Sequence, residues 1–262
     1  MEYKNEYTDK EKELITSIGP EGSCCDVGIP LDIKKIPEDI FFECINLKRI
    51  VLPNNIEAIE FGAFEGCKKL ETVEIPSVRK IMPSAFFNCP MLKEIELSKD
   101  IIEIHDETFG GCESLESICL SPSIKRIGMN AFWGCRSLKR IDLPDSIDVI
   151  DKEAFSGCIK IEEITLPKNI RKIGGNAFAG CYDLKVAIIN SNCQIPESIF
   201  NECEKLEKIY ITKEAFLRSH YFTENEEYKD KIEIIKPKSL EDLLDEGKSL
   251  REISNIIKEQ ER

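Results

Sequence analysis

Apolar positions in this chain return in blocks. Phenylalanine and cysteine, three residues apart, recur at Phe41/Cys44, Phe64/Cys67, Phe86/Cys89, Phe109/Cys112, Phe132/Cys135, Phe155/Cys158, Phe178/Cys181 and Phe200/Cys203. The cysteine-to-cysteine steps are 23, 22, 23, 23, 23, 23 and 22 residues. A fixed period of this size marks a solenoid, because one coil cannot bury its own apolar face and must stack on neighbours that cover it.

One block, from Ala131, reads A-F-x-G-C-x-x-L-x-x-I-x-L-P-x-x-I-x-x-I, with Phe132, Cys135, Leu138, Ile141, Leu143, Ile147 and Ile150 apolar. Ile141-Asp142-Leu143 alternates and predicts a strand, which Pro144 ends because it has no N–H to donate. A second, shorter stretch follows in each block at Ile56/Ile59, Val78/Ile81, Ile101/Ile104, Ile124/Ile127, Ile147/Ile150 and Ile170/Ile173. Before the cysteine stands Gly66, Asn88, Gly111, Gly134, Gly157 or Gly180, with Glu43 and Glu202 only in the first and last coils. Glycine and asparagine tolerate positive φ, so A-F-x-G predicts a short turn of helix that closes each coil. The two 22-residue coils lose a residue from the link between strands, around Ser77 and Asn192. At a spacing of about 4.8 Å per coil, eight coils make a body on the order of 40 Å long.

These residues resemble the BspA-like leucine-rich repeat family, of the treponemal type, from about Ile33 to Thr212. The resemblance implies a β-rich leucine-rich repeat solenoid, right-handed and curved, of about eight coils, used for protein recognition and commonly as a surface adhesin. The expected organisation is an N-terminal cap over residues 1–32, the solenoid over 33–212, a capping helix and strand over 213–237 and a short helical tail over 238–262. In the tail, Ser239-Leu-Glu-Asp and Ser249-Leu-Arg-Glu each form a capping-box pattern. The apolar faces of those helices need a cover, from the solenoid or from another chain, which makes the tail a candidate docking or dimerisation element.

Charge narrows the partner. The chain carries 49 acidic against 36 Lys and Arg residues, a net charge of -13. Such a surface repels phosphate backbones and anionic membranes, so a protein or peptide with basic side chains is the expected partner, and nucleic acid is not. The longest apolar run is the four residues from Val186 to Ile189. Neither a secretory signal nor a membrane-inserted segment is expected, and the chain reads as cytoplasmic, with the cell surface as the alternative.

The cysteines look first like metal ligands. Sulfurs in single file at steps of about 4.8 Å cannot form a tetrahedron with bonds of roughly 2.3 Å, so the ladder predicts buried, reduced structural thiols. Cys24 and Cys25, adjacent in the N-terminal cap, are candidates for redox or metal chemistry; Cys119, between Ile118 and Leu120, points outward. The carboxylates expected beside Cys119, Glu96 and Asp142, disfavour its thiolate. No nucleophile-elbow, P-loop, zinc-protease or dinucleotide motif occurs, and neither catalysis nor a cofactor is expected.

Outward positions of the main strand form columns. Lys48, Glu71, Lys93, Glu116, Lys139, Glu162, Lys185 and Glu207 alternate in sign, so opposite charges are expected to meet at every step. In the next columns Glu74, Glu94, Glu96 and Asp142 gather negative charge, while Val186, Ile188 and Tyr210 form an apolar cluster. These seven residues predict an acidic-to-apolar strip that binds a partner segment. A non-catalytic interaction scaffold is the leading reading, and an adhesin-like surface protein exported by an unrecognised route is the alternative.

Overall fold

The computed structural model describes residue 29, residues 32–196 and residues 198–235 of the 262-residue chain. The expected N-terminal cap, with Cys24 and Cys25, and the helical tail fall almost wholly outside these residues.

The chain winds as a parallel solenoid with strands on two faces. On the main face β2 (Arg49–Val51), β4 (Thr72–Glu74), β6 (Glu94–Glu96) and β8 (Ser117–Cys119) form one sheet. A second sheet there runs through β11 (Glu163–Leu166), β13 (Val186–Ile189), β14 (Lys208–Thr212) and β15 (Ile232–Ile235). The other face carries two-residue strands. They are β1 (Lys35–Ile36), β3 (Ala58–Ile59) and β5 (Lys80–Ile81), then β7 (Glu103–Ile104), β9 (Arg126–Ile127), β10 (Val149–Ile150) and β12 (Lys172–Ile173). Equivalent residues of successive coils stand side by side, as in Ile50↔Val73 and Ile95↔Ile118.

The strand expected at Ile141-Asp142-Leu143 does not form. A single bridge, Ser117↔Arg140, joins this coil to β8. Arg140 turns along its own coil and donates to Asp142 Oδ1 at 2.9 Å.

Every ladder phenylalanine is buried, and seven ring pairs run from Phe41 to Phe200. The first six are stacked, with centroids 4.9 to 5.7 Å apart, close to the strand spacing; the last, Phe178–Phe200, opens to 6.1 Å and tilts by 34°. Both apolar stretches of each coil complete this core.

The closing turn differs from the expected helix. Positive φ recurs at two positions per coil: before the cysteine, as at Gly134 (φ 68), and four residues earlier, as at Asn130 (φ 54). These left-handed residues redirect alternate amides. Asn130, Phe132 and Gly134 donate to Lys152, Ala154 and Ser156 of the next coil, while Ala131, Trp133 and Cys135 donate within the coil to residues three back. A helix would keep all these bonds to itself. The turn face is therefore a third hydrogen-bonded ladder.

The cysteines complete that ladder from inside. The carbonyl of Phe109 accepts the Cys112 amide at 3.2 Å and the Cys135 thiol, from the next coil, at 3.2 Å. The same thiol bond recurs from Cys67 to Cys203 at 3.1 to 3.4 Å. A thiol is a weak donor, but here it fills the second lone pair of a carbonyl shut off from water. Burial pushes the Cys112, Cys135 and Cys158 thiols upward from their ordinary range, and none can act as a thiolate.

The C-terminal end closes as the sequence suggested, with helices Lys213–Arg218 and His220–Glu224 followed by β15 on β14. Thr212 caps the first helix by accepting the Ala215 amide at 3.2 Å. Phe222 and Tyr228 meet edge-on at 5.8 Å, and the Tyr228 hydroxyl donates to the Phe200 carbonyl at 3.4 Å. That carbonyl has no following cysteine. Tyr228 occupies the donor position of the missing thiol.

Two outcomes follow. Phe132→Ala leaves a cavity in mid-column and costs about 3 to 5 kcal/mol, read from the denaturation midpoint; a midpoint equal to that of the parent contradicts the column. Brief maleimide labelling of the native chain, read by mass spectrometry, modifies exposed Cys119 while the eight ladder cysteines react only after unfolding. Rapid labelling of Cys112 or Cys135 would remove the thiol ladder.

Candidate partner-binding face

Strand geometry sets which side chains the main face presents. In β6, Ile95 points inward and is buried, so Glu94 and Glu96 both point out and are exposed. Glu94 stands between Thr72 and Ser117, and Glu96 stands beside exposed Cys119. Glu74 lies beside Val51, which is 49% exposed. Arg49 neutralises Glu74 at 2.5 Å, whereas Glu94 and Glu96 form no ion pair among the described residues. A hollow of about 560 Å³ opens next to them, bounded by Glu74, Pro76, Glu96, Leu97, Lys99 and Asp100. It adjoins the link that is one residue short near Ser77.

The remaining predicted residues do not extend this surface. Asp142 is exposed, but it lies where the sheet divides and is held by Arg140. Val186 is half-buried. Ile188 is 0% and Tyr210 1% exposed, so the expected apolar cluster is not open to a partner. The two pair in register, and β15 continues the sheet past Tyr210 through Glu233, which covers the edge of β14. Their strands give Ala187, Ile189, Ile209 and Ile211 to the interior cluster, so Ile188 and Tyr210 are buried on the opposite side.

The alternating column pairs in twos. Lys93 reaches back to Glu71 at 3.0 Å, Lys139 to Glu116 at 2.7 Å and Lys185 to Glu162 at 2.8 Å. Exposed pairs of this kind are screened by solvent, add little to stability and chiefly fix register. At Asp183, hydrogen bonds from Lys160 and Lys205 bring the carboxyl down to about 2.

Two features escaped the sequence reading. Arg126 bonds Asp151 at 2.7 Å, Asp106 at 2.8 Å and also Glu103, tying several coils together on the second face. Burial opposes its charge, but the three carboxylates outweigh burial and raise its pKa. Trp133 and Tyr182, 45% and 37% exposed, both line a shallow groove of about 530 Å³ on the turn face. Among the described residues no His, Cys, Asp and Glu side chains group to hold a metal, and no helix is long and apolar enough to cross a membrane.

This geometry, short parallel strands on two faces around a phenylalanine column, is that of a leucine-rich repeat protein. Residues 23–139 and 102–229 match the BspA type leucine rich repeat region in six copies, and the chain belongs to that family. Similar solved structures include a leucine rich cell surface protein from Faecalibacterium prausnitzii, 22% identical, covering 70% of this chain and 71% of that one with a TM-score of 0.40. A leucine-rich repeat protein from Bacteroides ovatus is 25% identical over 64% of this chain and 66% of its own, with a TM-score of 0.42. The T. pallidum leucine rich repeat protein is 21% identical over 80% and 86%, with a TM-score of 0.36. No curated protein matches the chain.

Proposed function

We propose that this leucine-rich repeat protein is a non-catalytic scaffold that receives a basic protein or peptide segment across β4, β6 and β8. The carrying observation is that Glu94 and Glu96 are exposed, neighbours on one strand face and without an ion pair among the described residues, beside a hollow that Glu74 and Asp100 also border. Basic side chains arriving there meet Glu94 and Glu96, which need not first give up an ion-pair partner among the described residues, and the chain's overall negative charge steers them in. Val51 supplies exposed apolar area at the N-terminal edge of the same surface. The binding face is thus centred on the N-terminal half of the array, without Ile188 and Tyr210.

Crosslinking in native lysate followed by mass spectrometry identifies the partner, and the purified pair is then compared between the parent and an E94Q/E96Q variant. Affinity falls by about tenfold or more, and added salt weakens binding to the parent more steeply than to the variant. Equal affinity for parent and variant rejects this face.

A further inference from the structure

One cavity has a lining that runs against the charge of the whole chain. It measures about 750 Å³ and lies between the turn preceding β12, the link after β13 and the helices of the cap. Lys168, Arg171, Arg218 and His220 line it together with the carboxamides of Asn192 and Gln194. Among the described residues no carboxylate does, although acidic residues outnumber Lys and Arg by 49 to 36 in the chain. Asp148 holds Arg171 at 2.9 Å, Asp145 lies 3.8 Å from Lys168 and Glu224 lies 3.6 Å from His220, and these three acids stand outside the lining. Arg218 Nη1 donates to the Asn192 carbonyl at 2.9 Å, which anchors the guanidinium at the wall and leaves its other N–H groups to a ligand. The cavity also adjoins the second link that is one residue short, at Asn192.

We propose that this cavity is an anion site that takes a phosphate monoester. A dianionic phosphate uses what the wall offers: guanidinium N–H groups of Arg171 and Arg218 that donate to its oxygens, an ammonium group and carboxamide N–H donors. The volume exceeds that of a bare phosphate and leaves room for the group that carries it, a small metabolite or a phosphorylated side chain. The site is independent of the acidic face, and its ligand has the opposite charge.

The test uses the full chain, with the guanidinium NMR signals of Arg171 and Arg218 followed at constant ionic strength. Inorganic phosphate and a phosphoserine peptide are the probes, and chloride is the control. Both probes shift the signals saturably, and K168Q/R171Q raises the apparent Kd by about tenfold or more while the melting temperature confirms folding. R218K, which keeps the charge and loses the fork, also weakens binding and serves if the double variant is unstable. Tighter binding of the peptide assigns a carried phosphate, and equal binding assigns a free one. Shifts that rise linearly and match chloride, or saturable binding unchanged in these variants, overturn the site.

Discussion

At Phe41, Phe64, Phe109, Phe132 and Phe155 one buried carbonyl serves two donors: the amide of the same coil's cysteine and the thiol of the next coil's cysteine. Around that point the amide of the same phenylalanine donates forward to the following coil. The linkage is what makes cysteine the suitable residue. Alanine could fill part of the space without offering a donor, and a larger polar residue would not fit where rings stack 4.9 to 5.7 Å apart. Stacking burial supplies the main free energy, and the hydrogen bonds fix the register in which it is collected.

The same constraint explains the caps. An array of this kind ends on an unsatisfied carbonyl, and at the C-terminus an aromatic side chain meets it. Phe222 and Tyr228 pack there, and the Tyr228 hydroxyl replaces the absent thiol on Phe200. The tilt of the last ring pair marks where strict repetition gives way to that closure.

Period, strand faces, inward columns and the thiol ladder were legible because each recurs coil after coil, and repetition turns a weak local pattern into a strong one. The turn geometry was not. Its second left-handed position is filled by Asp39, Gly62, Ser84, Glu107, Asn130, Glu153, Asn176 and Ser198, a mixture with no single residue type to announce positive φ. The missing strand at Ile141 was equally hidden, since its pattern matches its neighbours. At the site, alternation placed Glu74, Glu94 and Glu96 correctly, because strand period alone decides which way they point. The same rule put Ile188 and Tyr210 on the outer face but could not say whether that face was covered. Arg126, Trp133 and the basic cavity depend on single residues and on the meeting of distant links, which no repeat encodes.

The central claim is that neighbouring coils are locked through the phenylalanine amide and carbonyl. Native-state hydrogen exchange at the amides of Phe109, Phe132 and Phe155 measures this directly. The account predicts that all three exchange only through global unfolding, with a common free energy that falls with denaturant as the whole transition does. Rapid exchange at any one of them, insensitive to denaturant, would show that the coils are not joined at that point and would contradict the account.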